Sequence, residues 1–180
     1  MDIPLAIDQQ LFLFINHLPH TPWTDGTALL LSGAGAAGII WFIIAFILFL
    51  KEERGDHRFF LPIVLAGALV GILVNLIVKP LAGRGRPDPL MGAIVVGGSL
   101  IRDYSFPSGH AAMSFAAAVV LGRSEPKWRG FLYLLAVLIS LSRIYLGKHY
   151  PLDVLGGAFL GWGIGHGSLL IGKFIQKQRG

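Results

Sequence analysis

The sequence predicts an all-α, polytopic membrane helix bundle, with about five transmembrane helices and an N-terminal interfacial amphipathic helix, in one domain over residues 1–180. Three observations carry this. Of 180 residues 54% are hydrophobic and 14% charged, with a mean hydropathy of +0.67, whereas soluble domains carry roughly a quarter charged residues. Five apolar stretches approach the roughly 20 residues that cross a bilayer as a helix. They occupy residues 26–50, 59–78, 108–122, 130–146 and 153–171, the third being short. Basic residues, finally, gather in the segments between stretches rather than within them.

Each element follows from its own residues. Residues 5–18 mix Leu11, Phe12, Phe14, Ile15 and Leu18 with Asp8, Gln9, Gln10 and Asn16, which reads as a helix lying on the membrane surface. MDIPLAIDQQ is acidic where a signal's basic region belongs, so no cleavable signal peptide is expected. In the last span Gly157, Gly161 and Gly165 form a stripe at spacing four, the mark of a helix-packing face. There is no cysteine, which excludes disulfides and thiolate metal sites. The net charge of +5 is dispersed among apolar runs, which argues for membrane lipids rather than nucleic acid as partners.

The distribution of Lys and Arg sets an expected orientation. KEERGDHR (51–58), GRSEPKWR (122–129) and the C-terminal tail hold three each, and with five spans they share one side. The positive-inside rule makes that side cytoplasmic. Six basic residues remain on the outer side: Lys79, Arg84, Arg86, Arg102, Arg143 and Lys148. Topology does not require them there.

Three outer junctions place Lys79, Arg86, Ser108, His110, Arg143, His149 and Asp153 at one depth. Three fixed cations, two imidazoles and a carboxylate together form a candidate phosphate site with acid–base groups. Lys79, Arg86 and Arg143 offer charge and fork-shaped donors to phosphoryl oxygens. The Pro-Ser-Gly-His turn presents free helix N–H groups at Ser108 and Gly109, where the dipole favours an anion. Ser108 adds a hydroxyl, and His110 is placed to protonate a leaving oxygen. His149 and Asp153 lie four apart around Pro151, so the carboxylate can hold one ring nitrogen and leave the other as a nucleophile. No carboxylate cluster suited to a catalytic metal accompanies them, and no cofactor is expected.

These residues resemble a known family. KPLAGRGRP, PSGH and SRIYLGKHYPLD are similar to the K-x6-R-P, P-S-G-H and S-R-x5-H-x3-D motifs of the type 2 phosphatidic acid phosphatase superfamily, in order and at every signature position. The resemblance implies metal-independent hydrolysis through a phosphohistidine. His149 would then be the nucleophile, Asp153 its orienter and His110 the general acid. Lys79, Arg86, Ser108, Gly109 and Arg143 would bind phosphate. The compact size resembles bacterial lipid phosphatases of the cytoplasmic membrane with sites facing the periplasm. Undecaprenyl diphosphate is the favoured substrate. Phosphatidylglycerol phosphate, phosphatidic acid, lipid A 1-phosphate and a phosphotransferase reaction stay open, and a non-catalytic lipid carrier would not need the His–Asp pair.

Other polar residues have plainer readings. Arg84, Arg102 and Lys148 read as interface anchors within reach of a headgroup, with Asp88 and Asp103 tuning the loop. His17, His20 and His57 read as solvated loop or interface residues, and Asn75 as a helix–helix hydrogen bond. His166 and the deep tryptophans Trp41 and Trp162 read as packing, and Trp23, Trp128 and Tyr150 as an aromatic belt.

Overall fold

The computed structural model describes residues 3–51, 59–98 and 104–179. The 52–58 segment with His57, and Arg102 and Asp103, lie outside them. Among the described residues the secondary structure is helical: α1 (Ile3–Asn16), α2 (Pro22–Gly35), α3 (Ile39–Lys51), α4 (Phe60–Leu69), α5 (Lys79–Ala82), α6 (Gly109–Ser124), α7 (Arg129–Tyr145) and α8 (Pro151–Arg179). Among the described residues, four helical runs are long and apolar enough to cross a membrane: Pro22–Leu50, Phe60–Ala82, Pro126–Tyr145 and Pro151–Gln178. The fifth expected span, α6, has 16 residues, 11 of them buried, and forms the axis of the bundle.

Small side chains make that axis possible. α6 and α8 both start at the site end and run parallel with their backbones in contact. A Cβ on Gly157 would lie 2.4 Å from the Ser108 carbonyl oxygen, and one on Gly161 would lie 2.1 Å from that of Ala112. On Gly165 it would fall 2.8 Å from that of Ala116. The spacing-four stripe is a packing face, as its residues suggest.

The first span is interrupted. Ala37 (φ 49°) and Gly38 (φ 76°) take left-handed conformations within a 3₁₀ turn, Ala36–Gly38, that separates α2 from α3. For alanine this costs about 1–2 kcal/mol. Gly38 is packed so closely on Met113 that a Cβ would sit 2.9 Å from its Cγ. Between α4 and α5 the helix widens into a π-helix, Val70–Val78, a distortion frequent at functional sites. It delivers Lys79 to the bundle interior, 8% exposed.

α1 departs from the surface reading. Asp8 and Asn16 are turned inward together with Phe12, 2%, 0% and 2% exposed, while Gln10 and Phe14 are exposed, Phe14 71%. The Asn16 amide donates to the Ile94 and Tyr145 carbonyls, each at 2.8 Å, and its oxygen accepts the Ile94 N–H at 2.8 Å. Buried polar groups need partners, and here the bundle supplies them, so α1 is bound to protein by a face that carries Asp8, Phe12 and Asn16.

Candidate active site

A cavity of about 820 Å³ opens at the end of the bundle where α6 and α8 begin. Lys79, Arg86, Gly109, His110, Arg143 and His149 all line it, six of the eight residues expected at the site. Each arrives on a different piece of backbone. The π-helix presents Lys79, and the loop after α5 presents Arg86, whose guanidinium donates to the Lys148 carbonyl at 2.7 Å. Gly109 and His110 open α6. Arg143 ends α7 and donates to the hydroxyl of Ser32, a buried serine in the apolar α2. His149 sits in the tight connection to α8 and is 1% exposed.

The other two expected residues stand behind the wall. Ser108 is fully buried and caps α6, its hydroxyl oxygen 3.5 Å from the Ala111 N–H. Its own N–H donates to the Asp153 carbonyl at 2.9 Å, which ties the starts of α6 and α8 together. Asp153 does not hold the His149 ring by a hydrogen bond. Its Oδ2 lies 3.7 Å from Nδ1, an ion-pair separation that leaves Nδ1 without a hydrogen-bond partner. The carboxylate has other tasks. Oδ2 accepts the Tyr150 N–H at 2.7 Å, the reach-back of a third-position helix residue to the cap, with Pro151 at the first position. Oδ1 accepts from Arg84 at 2.7 Å.

Several residues that read plainly from sequence prove to be part of the site. Arg84 is no interface anchor: its guanidinium bridges Asp153 and Asp8, the latter at 2.5 Å, and lies 4.3 Å over the Tyr150 ring. Tyr150 is therefore packed between Arg84 and Phe12 behind the cavity rather than in an aromatic belt. Lys148 is 6% exposed, lines the cavity and donates to the Gly98 carbonyl. Burial, then Arg143 and Arg86, lower its pKa. Ser105 is fully buried, and its hydroxyl donates to the Gly85 carbonyl at 2.8 Å, pinning the Arg-bearing loop to the turn before α6. Asn75 lines the cavity beside Gly109, where a Cβ would meet its Oδ1 at 2.8 Å.

Two other expectations are corrected away from the site. His20 is not simply solvated: its ring nitrogens lie 2.7 Å from Asp25 and 2.8 Å from the Asn16 carbonyl. Trp162 is 48% exposed and edge-on to His166, whereas Trp41 is fully buried and donates to Ser114 at 3.1 Å.

The electrostatics favour a neutral His149. Burial depresses the His149 pKa to about 4; Asp153 pulls the other way, and Arg143 and Arg86 add to the depression. The imidazole then keeps its lone pair at neutral pH. The four cations Lys79, Arg86, Arg143 and Lys148 converge on one cavity, an arrangement that suits a multiply charged phosphoryl group.

A family model described as the PAP2 superfamily matches residues 59–176, which takes in all three motifs. The chain belongs to the PAP2 superfamily. Over 158 residues this PAP2 chain is 30% identical to an undecaprenyl-diphosphatase of Sulfolobus acidocaldarius, covering 87% of this chain and 74% of that one. A lipid A 4'-phosphatase of Bacteroides thetaiotaomicron is 34% identical over 167 residues, 86% of this chain and 72% of the relative. The crystal structure of Aquifex aeolicus LpxE has a TM-score of 0.72 at 32% identity, covering 91% of this chain and 94% of that one. As a PAP2 protein with apolar spanning helices, it is a multi-pass membrane phosphatase acting on lipid phosphate groups.

Proposed function

We propose that this chain hydrolyses a prenyl diphosphate, undecaprenyl diphosphate first among them, through a phosphohistidine on His149, at the exterior face of a bacterial cytoplasmic membrane. The observation that carries the reading is the two-ended cavity. Beyond its cations and imidazoles it continues into an apolar lane walled by Gly38, Phe42, Gly67, Val70, Gly71 and Met113. One lane suits one tail, whereas phosphatidic acid and phosphatidylglycerol phosphate bring two acyl chains and lipid A more. The exterior placement rests on Arg123, Lys127, Arg129, Lys173 and Lys177 at the opposite end of the bundle.

The chemistry follows from the positions. The terminal phosphate is held by Lys79, Arg86, Arg143 and the free N–H groups at the start of α6. Nε2 of His149 attacks phosphorus, the bond to the prenyl phosphate oxygen breaks, and that oxygen takes a proton from His110. The bound anion favours the protonated form of His110 before the step. Positive charge then appears on the His149 ring, where Asp153 stabilises it. Water next attacks the phosphohistidine and gives its proton to His110. Inorganic phosphate leaves, and His149 returns to its neutral form.

Phosphate release from a panel tests this: undecaprenyl diphosphate, undecaprenyl phosphate, phosphatidic acid, phosphatidylglycerol phosphate and lipid A 1-phosphate. The diphosphate should give the highest kcat/KM. A two-tailed lipid preferred by tenfold or more would reject the substrate assignment, and no release from any would reject hydrolysis. Phosphoryl transfer to an added alcohol in preference to water would identify a transferase.

A further inference from the structure

Arg84 and Asp8 form a unit that the three motifs do not include. Both carboxylates it joins, Asp8 and Asp153, have fully buried side chains, and the Arg84 side chain is 23% exposed. Two buried carboxylates thus share one guanidinium, an arrangement that leaves a net negative charge beside His149. Asp8 makes a second contact there, its Oδ1 accepting the Leu152 N–H at 2.8 Å in the first turn of α8. The Tyr150 ring is held between Arg84 and Phe12 of α1, 4.3 Å from the first and 5.2 Å from the second. The segment around the nucleophile is therefore clamped from α1.

The placement bears on catalysis through Asp153. Arg84 takes Oδ1 and the Tyr150 N–H takes Oδ2, which fixes the carboxylate plane with Oδ2 3.7 Å short of Nδ1. When Nε2 bonds to phosphorus, the ring becomes cationic and Nδ1–H becomes a stronger donor. A carboxylate that closes the gap only then stabilises the transition state more than the ground state. How much of its charge is available depends on how Arg84 divides itself between Asp153 and Asp8.

We infer that Arg84 and Asp8 are positioning residues that set the Asp153 carboxylate against His149, which makes the N-terminal helix part of the catalytic machinery. The inference rests on the proposed His149 chemistry. The charged and titratable groups facing His149 are Asp153 from α8, Arg143 from α7, His110 from α6, Arg86 from the loop after α5, and its neighbour Lys148.

The test uses the full chain in detergent micelles with p-nitrophenyl phosphate, whose leaving oxygen needs little protonation. Values of kcat and KM are measured against pH for wild type, Arg84→Met, Arg84→Lys and Asp8→Asn. Arg84→Met should lower kcat about a hundredfold, the scale of a small misplacement at a reacting centre, with KM little changed. Its acid limb should move to higher pH, because a carboxylate freed from Arg84 acts on the imidazole alone. Arg84→Lys should recover part of kcat. Asp8→Asn keeps an acceptor for the Leu152 N–H but returns Arg84 to Asp153 undivided, so its limb should move to lower pH. A purely structural role would reduce folded protein and leave the limbs in place. Unmoved limbs in folded Arg84→Met and Asp8→Asn would overturn the inference, as would a raised KM with unchanged kcat in Arg84→Met. If Arg84→Met does not fold, the Asp8→Asn limb decides alone. Phosphoenzyme trapping on the wild type separates the two levels. Phosphate on His149 with unmoved limbs rejects only this inference; none on His149 rejects the parent reading and this inference with it.

Discussion

The His149 imidazole and the Asp153 carboxylate stand 3.7 Å apart, with the ring nitrogen between them unpartnered and the carboxylate engaged elsewhere. Asp153→Asn should remove the charge and one of the two contacts the carboxylate makes. The amide oxygen can keep the Tyr150 N–H, but the amide NH2 then faces Arg84 and that ion pair is lost. Activity should fall by up to about four orders of magnitude, the scale of the same change in the serine-protease triad, with a lowered melting temperature because the buried pair is broken. A lowered melting temperature with activity near wild type would make Asp153 a structural residue alone.

The two cavity histidines should separate by leaving group. His149→Ala should abolish turnover of lipid and aryl phosphates alike. His110→Ala should cost about two to four orders of magnitude on a lipid monophosphate and far less on p-nitrophenyl phosphate. Phosphate trapped on His110 and absent from His149 would reverse the roles.

Acid tolerance should exceed that of an ordinary imidazole. In the proposed chemistry His149 attacks in its neutral form, and its pKa is lowered from 6.5 to about 4. Protonation on the way down in pH removes the nucleophile, so kcat/KM should hold through pH 5–6 and fall as pH passes about 4, after correction for the substrate's own titration. An acid limb at 6.5 or above, absent from the substrate, would contradict the burial argument.

The α6–α8 contact leaves no room at Gly161, where a Cβ would fall 2.1 Å from a backbone oxygen. Gly161→Leu should cost at least about 3 kcal/mol, at or beyond the usual range for overpacking, and deplete folded protein in membranes. Gly163, with nothing within 4 Å of a Cβ, serves as the control. Gly163→Ala should be expressed and active like wild type.

Chelation should leave the rate unchanged, since the charged groups lining the cavity are Lys79, Arg86, Arg143 and Lys148. Activity lost in EDTA and restored by Mg²⁺ would count against the histidine route.

Much of this was legible because membranes constrain sequence tightly. Apolar length gave the crossings, and the glycine stripe gave the α6–α8 face. Residues 79–87, 107–110 and 142–153 pointed to one cavity because each sits where a helix meets the end of the bundle. Arg84 was not legible. Its partner Asp8 lies 76 residues away, and a surface-helix reading of α1 sends that carboxylate to water. Amphipathicity fixes which residues share a face, but in a bilayer protein it does not say whether the polar face meets solvent or protein. Lys148 stayed open between an interface anchor and a headgroup contact for a similar reason, since a lysine at a membrane end reads as snorkelling until its neighbours are known. Ser32, a polar side chain in the apolar second half of α2, meets Arg143 across the bundle, a pairing 111 residues apart that no local pattern signals.

The shortness of α6 bears on where a lipid would have to be met. Sixteen residues rise about 24 Å, about 6 Å less than a hydrocarbon layer of about 30 Å. A phosphate held at the start of such a helix would lie below the interface with its tail still immersed. Lifting a lipid out costs about 0.8 kcal/mol for every methylene exposed, and a sunken site would leave that cost out of the barrier.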